Sequence, residues 1–122
     1  MIYTDSYIMK SIVSKPWGSY QVLEEGSKYT IKRIVVNSGG VLSLQSHLHR
    51  SEHWVVVQGI AEVTLDTNIK ILKTNENIFI PKKSKHRLEN KEKEDLLVIE
   101  VWYGDILDEK DIVRYEDIYD RK

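Results

Sequence analysis

The sequence predicts an all-β domain, a sandwich or small barrel, on three observations. Apolar residues alternate with period two in short runs rich in β-branched and aromatic residues. Turn residues separate those runs at intervals of roughly 8–12 residues, the rhythm of sandwiches and barrels rather than of strand–helix repeats. A length of 122 residues with 41% apolar content gives one domain with a core of its own and no second folded unit.

The elements follow in order. Residues 1–14 form an N-terminal arm or edge strand, so the single domain takes in residues 1–122. Tyr29 to Val36 is a run rich in β-branched residues, ended by the turn residues Asn37-Ser38-Gly39-Gly40. Val41 to Leu48 is the next strand, and Trp54 to Val57 follows it. Gln58-Gly59 breaks the chain before Ala61 to Leu65, and Asp66-Thr67-Asn68 turns it into Ile69 to Leu72. Ile78-Phe79-Ile80 runs into Pro81. The stretch Lys91 to Asp95 is charged at every position, which reads as a solvated loop, and the long apolar strand Leu96 to Tyr103 comes after it. Asp108 to Tyr119 fits either a helix capped by Asp108 or a strand crossing back over the barrel.

Composition excludes several function classes. There is no cysteine, which removes thiolate metal sites, cysteine nucleophiles and disulfides and leaves nitrogen and oxygen as ligand atoms. With 18 basic against 19 acidic residues the net charge is −1, without the basic surplus of a nucleic-acid binder. No segment approaches the roughly 20 apolar residues of a membrane span, and Met1 to Lys10 lacks a signal-peptide core. A soluble, cytoplasmic protein is expected.

All four histidines lie between positions 47 and 86. If the strand runs through Val41 to His49, period-two geometry puts Ser43, Gln45, His47 and His49 on one face and Leu42, Leu44 and Leu48 on the other. Imidazoles at i and i+2 of a strand converge on one small volume, which suits a cation and not an apolar core. Glu52 follows three residues later, and His86 sits in a second loop after a proline.

Gly40 to Gly59 resembles the first motif of the cupin family, and Pro81 to Asn90 the second. The finer similarity is to the type II phosphomannose isomerase cupin, also found as the C-terminal part of bifunctional mannose-1-phosphate guanylyltransferase/phosphomannose isomerases. Carrying it are Lys15-Pro16-Trp17-Gly18-Ser19-Tyr20, Leu42-Ser43-Leu44-Gln45, His49-Arg50-Ser51-Glu52-His53-Trp54, Ile80-Pro81, His86-Arg87-Leu88 with Asn90, and Asp111-Ile112-Val113-Arg114. The resemblance covers positions 15 to 121. It implies a double-stranded β-helix (jelly-roll) barrel, a divalent metal inside it and a homodimer. The implied ligands are His47, His49, Glu52 and His86. Six residues separate Glu52 from Gly59 in the family manner, but only two separate it from His49, one fewer than is common. It is preferred to its neighbour His53 because it shares a face with Trp54 and Val56. The chain departs from the family at Asn75 and Lys83, where glycines are usual, and at Ile106, where a tyrosine is usual. It also lacks the glutamine the family carries near Trp102.

The resemblance further implies a metal-dependent isomerase interconverting mannose 6-phosphate and fructose 6-phosphate for GDP-mannose and polysaccharide synthesis. Any guanylyltransferase activity would come from another chain. Three histidines and a carboxylate suit Zn²⁺, with Mn²⁺, Fe²⁺ and Ni²⁺ as alternatives. Arg50, Arg87 and Lys85 adjoin proposed ligands and are candidates for the substrate phosphate, with Arg33 and Arg114 further off. Gln45 shares the ligand face and is placed to orient the sugar. Glu100 or Lys85 is the candidate base. Trp54 and Trp102 are candidates to stack on a sugar ring, and Trp17 reads as core. Two rival readings are a nucleotide-sugar or other sugar-phosphate cupin isomerase or epimerase, relying on a histidine base, and a non-catalytic sugar-binding cupin.

Overall fold

The chain was analysed as a computed structural model in which residues 9–119 are described. The described residues form eleven strands: β1 Val13–Lys15, β2 Gly18–Glu25, β3 Tyr29–Val36, β4 Leu44–Ser46, β5 Arg50–Gln58, β6 Ala61–Leu65, β7 Asn68–Leu72, β8 Asn77–Ile80, β9 His86–Glu89, β10 Leu96–Gly104 and β11 Val113–Glu116. Among the described residues there is no helix, so none is long and apolar enough to cross a membrane. The stretch after Asp108 resolves as the strand β11. Asp108 Oδ1 accepts the Lys110 N–H in a turn and caps no helix. Val13–Lys15 is an edge strand on β2, and positions 1–8 of the expected N-terminal arm lie outside the described residues.

The strands form two antiparallel sheets, ordered β1-β2-β3-β10-β5-β8 and β11-β4-β9-β6-β7. Neighbours in each sheet come from distant parts of the chain, as when β10 lies between β3 and β5 and β9 between β4 and β6. Strands thus alternate between the sheets in the jelly-roll manner, and the space between the sheets is the core.

Three central strands explain where the core stops and the site begins. On β3 the inward row is Thr30, Lys32, Ile34, Val36; on β5 it is Arg50, Glu52, Trp54, Val56; on β10 it is Leu96, Val98, Glu100, Trp102. Register stacks these rows into tiers. Val36 pairs with Leu96, and Val98 lies between Ile34 and Val56, giving apolar tiers. Glu100 then lies between Lys32 and Trp54, and Trp102 between Thr30 and Glu52. The apolar end continues into Ile78, Ile80, Val63, Ala61 and Leu88, all buried. Each such large aliphatic contributes about 1.5–3 kcal/mol on burial, and together they hold the sheets while the opposite end stays polar.

Asn75 and Lys83, which stand at expected glycine positions, both adopt left-handed backbone, with φ of 72° and 69°. The loop path is therefore the glycine path, with side chains fitted to it. The Lys83 N–H donates to the His47 carbonyl (2.8 Å), so the loop is held in that conformation by the site it adjoins. A left-handed conformation costs a residue with a Cβ about 1–2 kcal/mol, and glycine gives back part of that as unfolded-chain entropy. Lys83→Gly is expected to stabilise the protein by about 0.5–1 kcal/mol, read from the urea midpoint of the metal-free protein. An unchanged or lowered midpoint would refute it.

Candidate metal centre

The polar tiers bring three ligand-type side chains together. His47, Glu52 and His86 each offer one ligand atom, all within 4.8 Å of one another, and all three side chains are buried. Glu52 comes from the inward row of β5, and His86 opens β9, opposite Gln45 of β4 and Leu65 of β6. His47 lies just past β4, where the chain leaves the sheet. The expected strand to His49 is interrupted there, because the backbone has better partners than a ladder. Asp111 accepts the N–H groups of both Leu48 and His49 on its carboxylate (2.9 Å each), and its carbonyl accepts from His47 Nδ1 (2.7 Å). Close approach of Gly104 completes the bend, since a Cβ there would meet the His49 carbonyl oxygen at 2.2 Å.

Hydrogen bonding assigns the tautomers. His47 Nδ1 faces the Asp111 carbonyl and His86 Nδ1 the Ser84 carbonyl (3.0 Å). A carbonyl only accepts, so each ring carries its proton on Nδ1 and presents a bare Nε2. The two Nε2 atoms lie 3.1 Å apart, and His47 Nε2 lies 3.1 Å from Glu52 Oε2. Arg50 donates to two of these three acceptors, Glu52 Oε2 and His47 Nε2, while His86 Nε2 faces only the acceptor of His47, an arrangement that a cation among the three would relieve. Around a tetrahedral Zn²⁺ with bonds of about 2.0–2.1 Å, ligand atoms would stand about 3.3 Å apart. The observed spacings fit a divalent ion, with nitrogen and oxygen donors only.

Electrostatics keep the ligands in their binding forms. Burial, reinforced by the Arg50 and His86 charges, lowers His47 to about 4 against the pull of Glu52. Burial likewise lowers His86. Burial pushes Glu52 upward, but Arg50, His86 and His47 outweigh it and hold its carboxyl at about 2. Arg50 donates Nε–H to Glu52 Oε2 (2.8 Å) and an Nη2–H to His47 Nε2 (3.2 Å), and Trp54 donates to Glu52 Oε1 (2.8 Å). At neutral pH the group is therefore two neutral imidazoles and one carboxylate, the ligand forms a cation needs.

The family model for "Mannose-6-phosphate isomerase C-terminal" matches residues 4–117. The chain belongs to that family. It is 50% identical over 109 residues to the alginate biosynthesis protein AlgA of Pseudomonas syringae pv. tomato, a match covering 89% of this chain and 23% of that protein. The mannose-1-phosphate guanylyltransferase of Escherichia coli K12 matches with the same identity and coverage. The chain thus spans about a quarter of the length of these curated relatives. Among solved structures it is similar to a double-stranded β-helix protein from Klebsiella pneumoniae (TM-score 0.71, 17% identity, covering 95% of this chain and 97% of that one). An RmlC-like cupin from Shewanella frigidimarina is a second (TM-score 0.68, 20% identity, covering 77% and 83%). The fold is the cupin double-stranded β-helix.

Within this mannose-6-phosphate isomerase C-terminal domain, the expected site residues divide. Gln45, Arg50, Glu52, His86 and Glu100 line one cavity between the sheets, with Trp54 and Trp102. The Gln45 amide donates to Ser43 O and Oγ (3.3 and 3.2 Å). His49 departs from the expected ligand set: it is exposed on the bend and is not in the ligand group. Arg87 and Lys85 are also placed outside the lining of this cavity. Strand alternation sends the neighbours of inward His86 to the other face. Arg87 donates to the Leu42 carbonyl (2.9 Å) and to Glu116, and exposed Lys85 lies over the Tyr115 ring (4.4 Å). Arg33 bonds Gln21 and is also outside the cavity, whereas Arg114 lines it. His53 faces outward, bonded to Asn77 Oδ1 (3.1 Å). Trp17 is core, as expected, and Ile106 does not line this cavity.

Sequence reasoning missed Lys15, Tyr20, Lys32 and Glu109, all of which line the cavity. Lys32 is 3% exposed, and burial lowers its pKa against the pull of Glu109 and Glu100. Glu100, 5% exposed, is pushed up to about 8, first by burial and then by Glu52, against Lys32 and the Trp102 N–H that donates to it (3.0 Å).

Proposed function

We propose that this domain is a metal-dependent aldose–ketose isomerase that interconverts mannose 6-phosphate and fructose 6-phosphate, feeding GDP-mannose and surface-polysaccharide synthesis. The observation that carries it is the pair of unprotonated Nε2 atoms of His47 and His86 turned on each other beside Glu52, with Glu52 and His86 lining the same cavity as the buried Glu100 carboxyl of raised pKa. Family membership and the names of the relatives, alginate biosynthesis and mannose-1-phosphate guanylyltransferase, support the substrate class.

His47, Glu52 and His86 would hold a divalent cation, which we propose to be Zn²⁺, and it would supply Lewis acidity to polarise the substrate carbonyl. The chain's own residues do the rest. Glu100 takes the proton from one of the carbons C1 and C2 and returns it to the other, its carboxyl aimed by the Trp102 N–H. Trp54 and Trp102, each 3% exposed, keep water from the reacting carbons. Gln45 meets sugar hydroxyls from the rim of the ligand group. Asp111 fixes His47 in the tautomer that leaves Nε2 unprotonated, as an acceptor.

Hexose 6-phosphate interconversion by the purified protein tests this reading. Turnover is expected to vanish after treatment with a chelator and to return with Zn²⁺, Mn²⁺, Fe²⁺ or Ni²⁺. No turnover with any of these ions in excess would reject it. A nucleotide-sugar epimerase working through a histidine base without a cation has less support here, because the two inward imidazoles turn their acceptors on each other.

A further inference from the structure

Lys32 is a lysine on an otherwise uncharged inward row, and the proposed isomerase chemistry makes no use of it. A buried ammonium costs several kcal/mol unless it is paired, and here its partners are specific. Nζ lies 2.9 and 3.1 Å from the two carboxylate oxygens of Glu109, 3.8 Å from the Tyr20 ring centroid and 4.1 Å from that of Trp102. The aromatic partners belong to the sheet and are fixed. Glu109 does not. It comes from the connection between β10 and β11, and its side chain is 50% exposed while that of Lys32 is 4% exposed. One carboxylate therefore reaches in from the rim and sets two oxygens on a single buried amine, the arrangement that two oxygens of a phosphate would make.

The place of this amine in the cavity gives it a use. Arg50, which bonds Glu52 and His47, has its guanidinium carbon 3.3 Å from the Trp102 ring centroid. Lys32 and Arg50 thus adjoin the same indole, and Lys32 lines one cavity with Glu52 and His86 of the ligand group. A ligand with an oxyanion at one end and carbonyl and hydroxyl oxygens at the other meets complementary chemistry at both.

We propose that Lys32 is the seat of the ligand's phosphate and that Glu109 occupies this seat until the ligand displaces it. The proposal rests on the sugar-phosphate reading above. Glu109 acts as an internal competitor: it satisfies the buried charge in the free protein and moves to solvent when a phosphate takes its place.

The test is binding of inorganic phosphate to the metal-depleted full chain by titration calorimetry, with circular dichroism as a check on folding. Glu109→Ala is expected to bind phosphate about tenfold tighter than the unaltered protein, because a seat filled most of the time weakens apparent affinity by its free fraction. Lys32→Met should lose that binding in both the unaltered and the Glu109→Ala backgrounds, and Lys32→Arg should keep it. A Glu109→Ala protein that binds phosphate no tighter than the unaltered one overturns the proposal, as does a folded Lys32→Met protein that binds it as well. Should Lys32→Met not fold, the Glu109→Ala comparison decides alone. No sugar turnover is read, so the two readings fail separately. Isomerase activity without a Glu109-dependent phosphate affinity removes the seat and leaves the enzyme, and the converse result removes the enzyme and leaves the seat.

Discussion

His86→Ala is expected to strip the protein of its metal while leaving the barrel folded. The substitution removes one of the three proposed ligand atoms and leaves those of His47 and Glu52, so affinity should fall by more than the 10- to 100-fold that loss of an outer hydrogen-bond partner costs such sites. Metal per chain, measured by elemental analysis after gel filtration, should drop from about one to below about a tenth. Isomerase turnover should drop with it. The ring also packs edge-on against Trp54, with centroids 5.6 Å apart, so a stability loss of about 1–3 kcal/mol accompanies the change without unfolding the domain. His49→Ala is the control. Its side chain is exposed on the bend, and metal content should not change. A His86→Ala protein with full metal content, or a His49→Ala protein without metal, would refute the ligand group proposed here.

Glu100→Gln should lower kcat by about 10²- to 10⁴-fold, the usual worth of a placed proton-transfer group, with metal content unchanged. It should also reshape the dependence of stability on pH in the metal-free protein. Glu100 faces Lys32 on β3, Glu52 and Arg50 on β5, and the Trp102 N–H on its own strand. Its carboxyl stands at about 8 in the folded protein, above the ordinary 4.5, so the folded chain holds a proton that the unfolded chain releases. The group therefore imposes no penalty below about pH 4.5. As pH rises from there, ionisation is favoured only in the unfolded chain, and stability is progressively lost until the folded carboxyl also ionises near pH 8. Relative to the native residue, glutamine should therefore gain stability between pH 5 and 8, the difference levelling off above that. Thermal melts at pH 5, 7 and 9 check this, and a difference that shrinks with rising pH would contradict it.

Much of the fold was legible because alternation and turn chemistry agree along most of the chain. Tyr29 to Val36 coincides with β3, and Asp66-Thr67 makes the two-residue turn between β6 and β7. The inward placement of Glu52 was legible as well, since parity on β5 puts it with Trp54 and Val56 and turns His53 outward. Proximity in sequence is a poorer guide: Arg87 and Lys85 adjoin His86, yet the position next to an inward residue is the one whose side chain turns away, and neither lines the cavity. His49 was placed by extending a strand that Asp111, more than 60 residues later, pulls out of the ladder. No local pattern encodes that pull. Lys32 was missed for a different reason. Both rows of β3 contain aliphatic residues, Ile34 and Val36 on one and Ile31 and Val35 on the other. The sequence alone does not say which row goes in, and a lysine on either looks solvated.

The tiered rows of β3, β5 and β10 have an evolutionary corollary. Reactive and greasy levels occupy different stretches of the same three ribbons, so a change of reagent at the lower levels disturbs little of what makes the ribbons associate. Descendants of such a scaffold can trade Lys32, Glu100 or Trp102 for other functional groups and still fold through Ile34, Val36, Val56, Leu96 and Val98. Diversity of chemistry on a conserved container follows from that vertical division of labour.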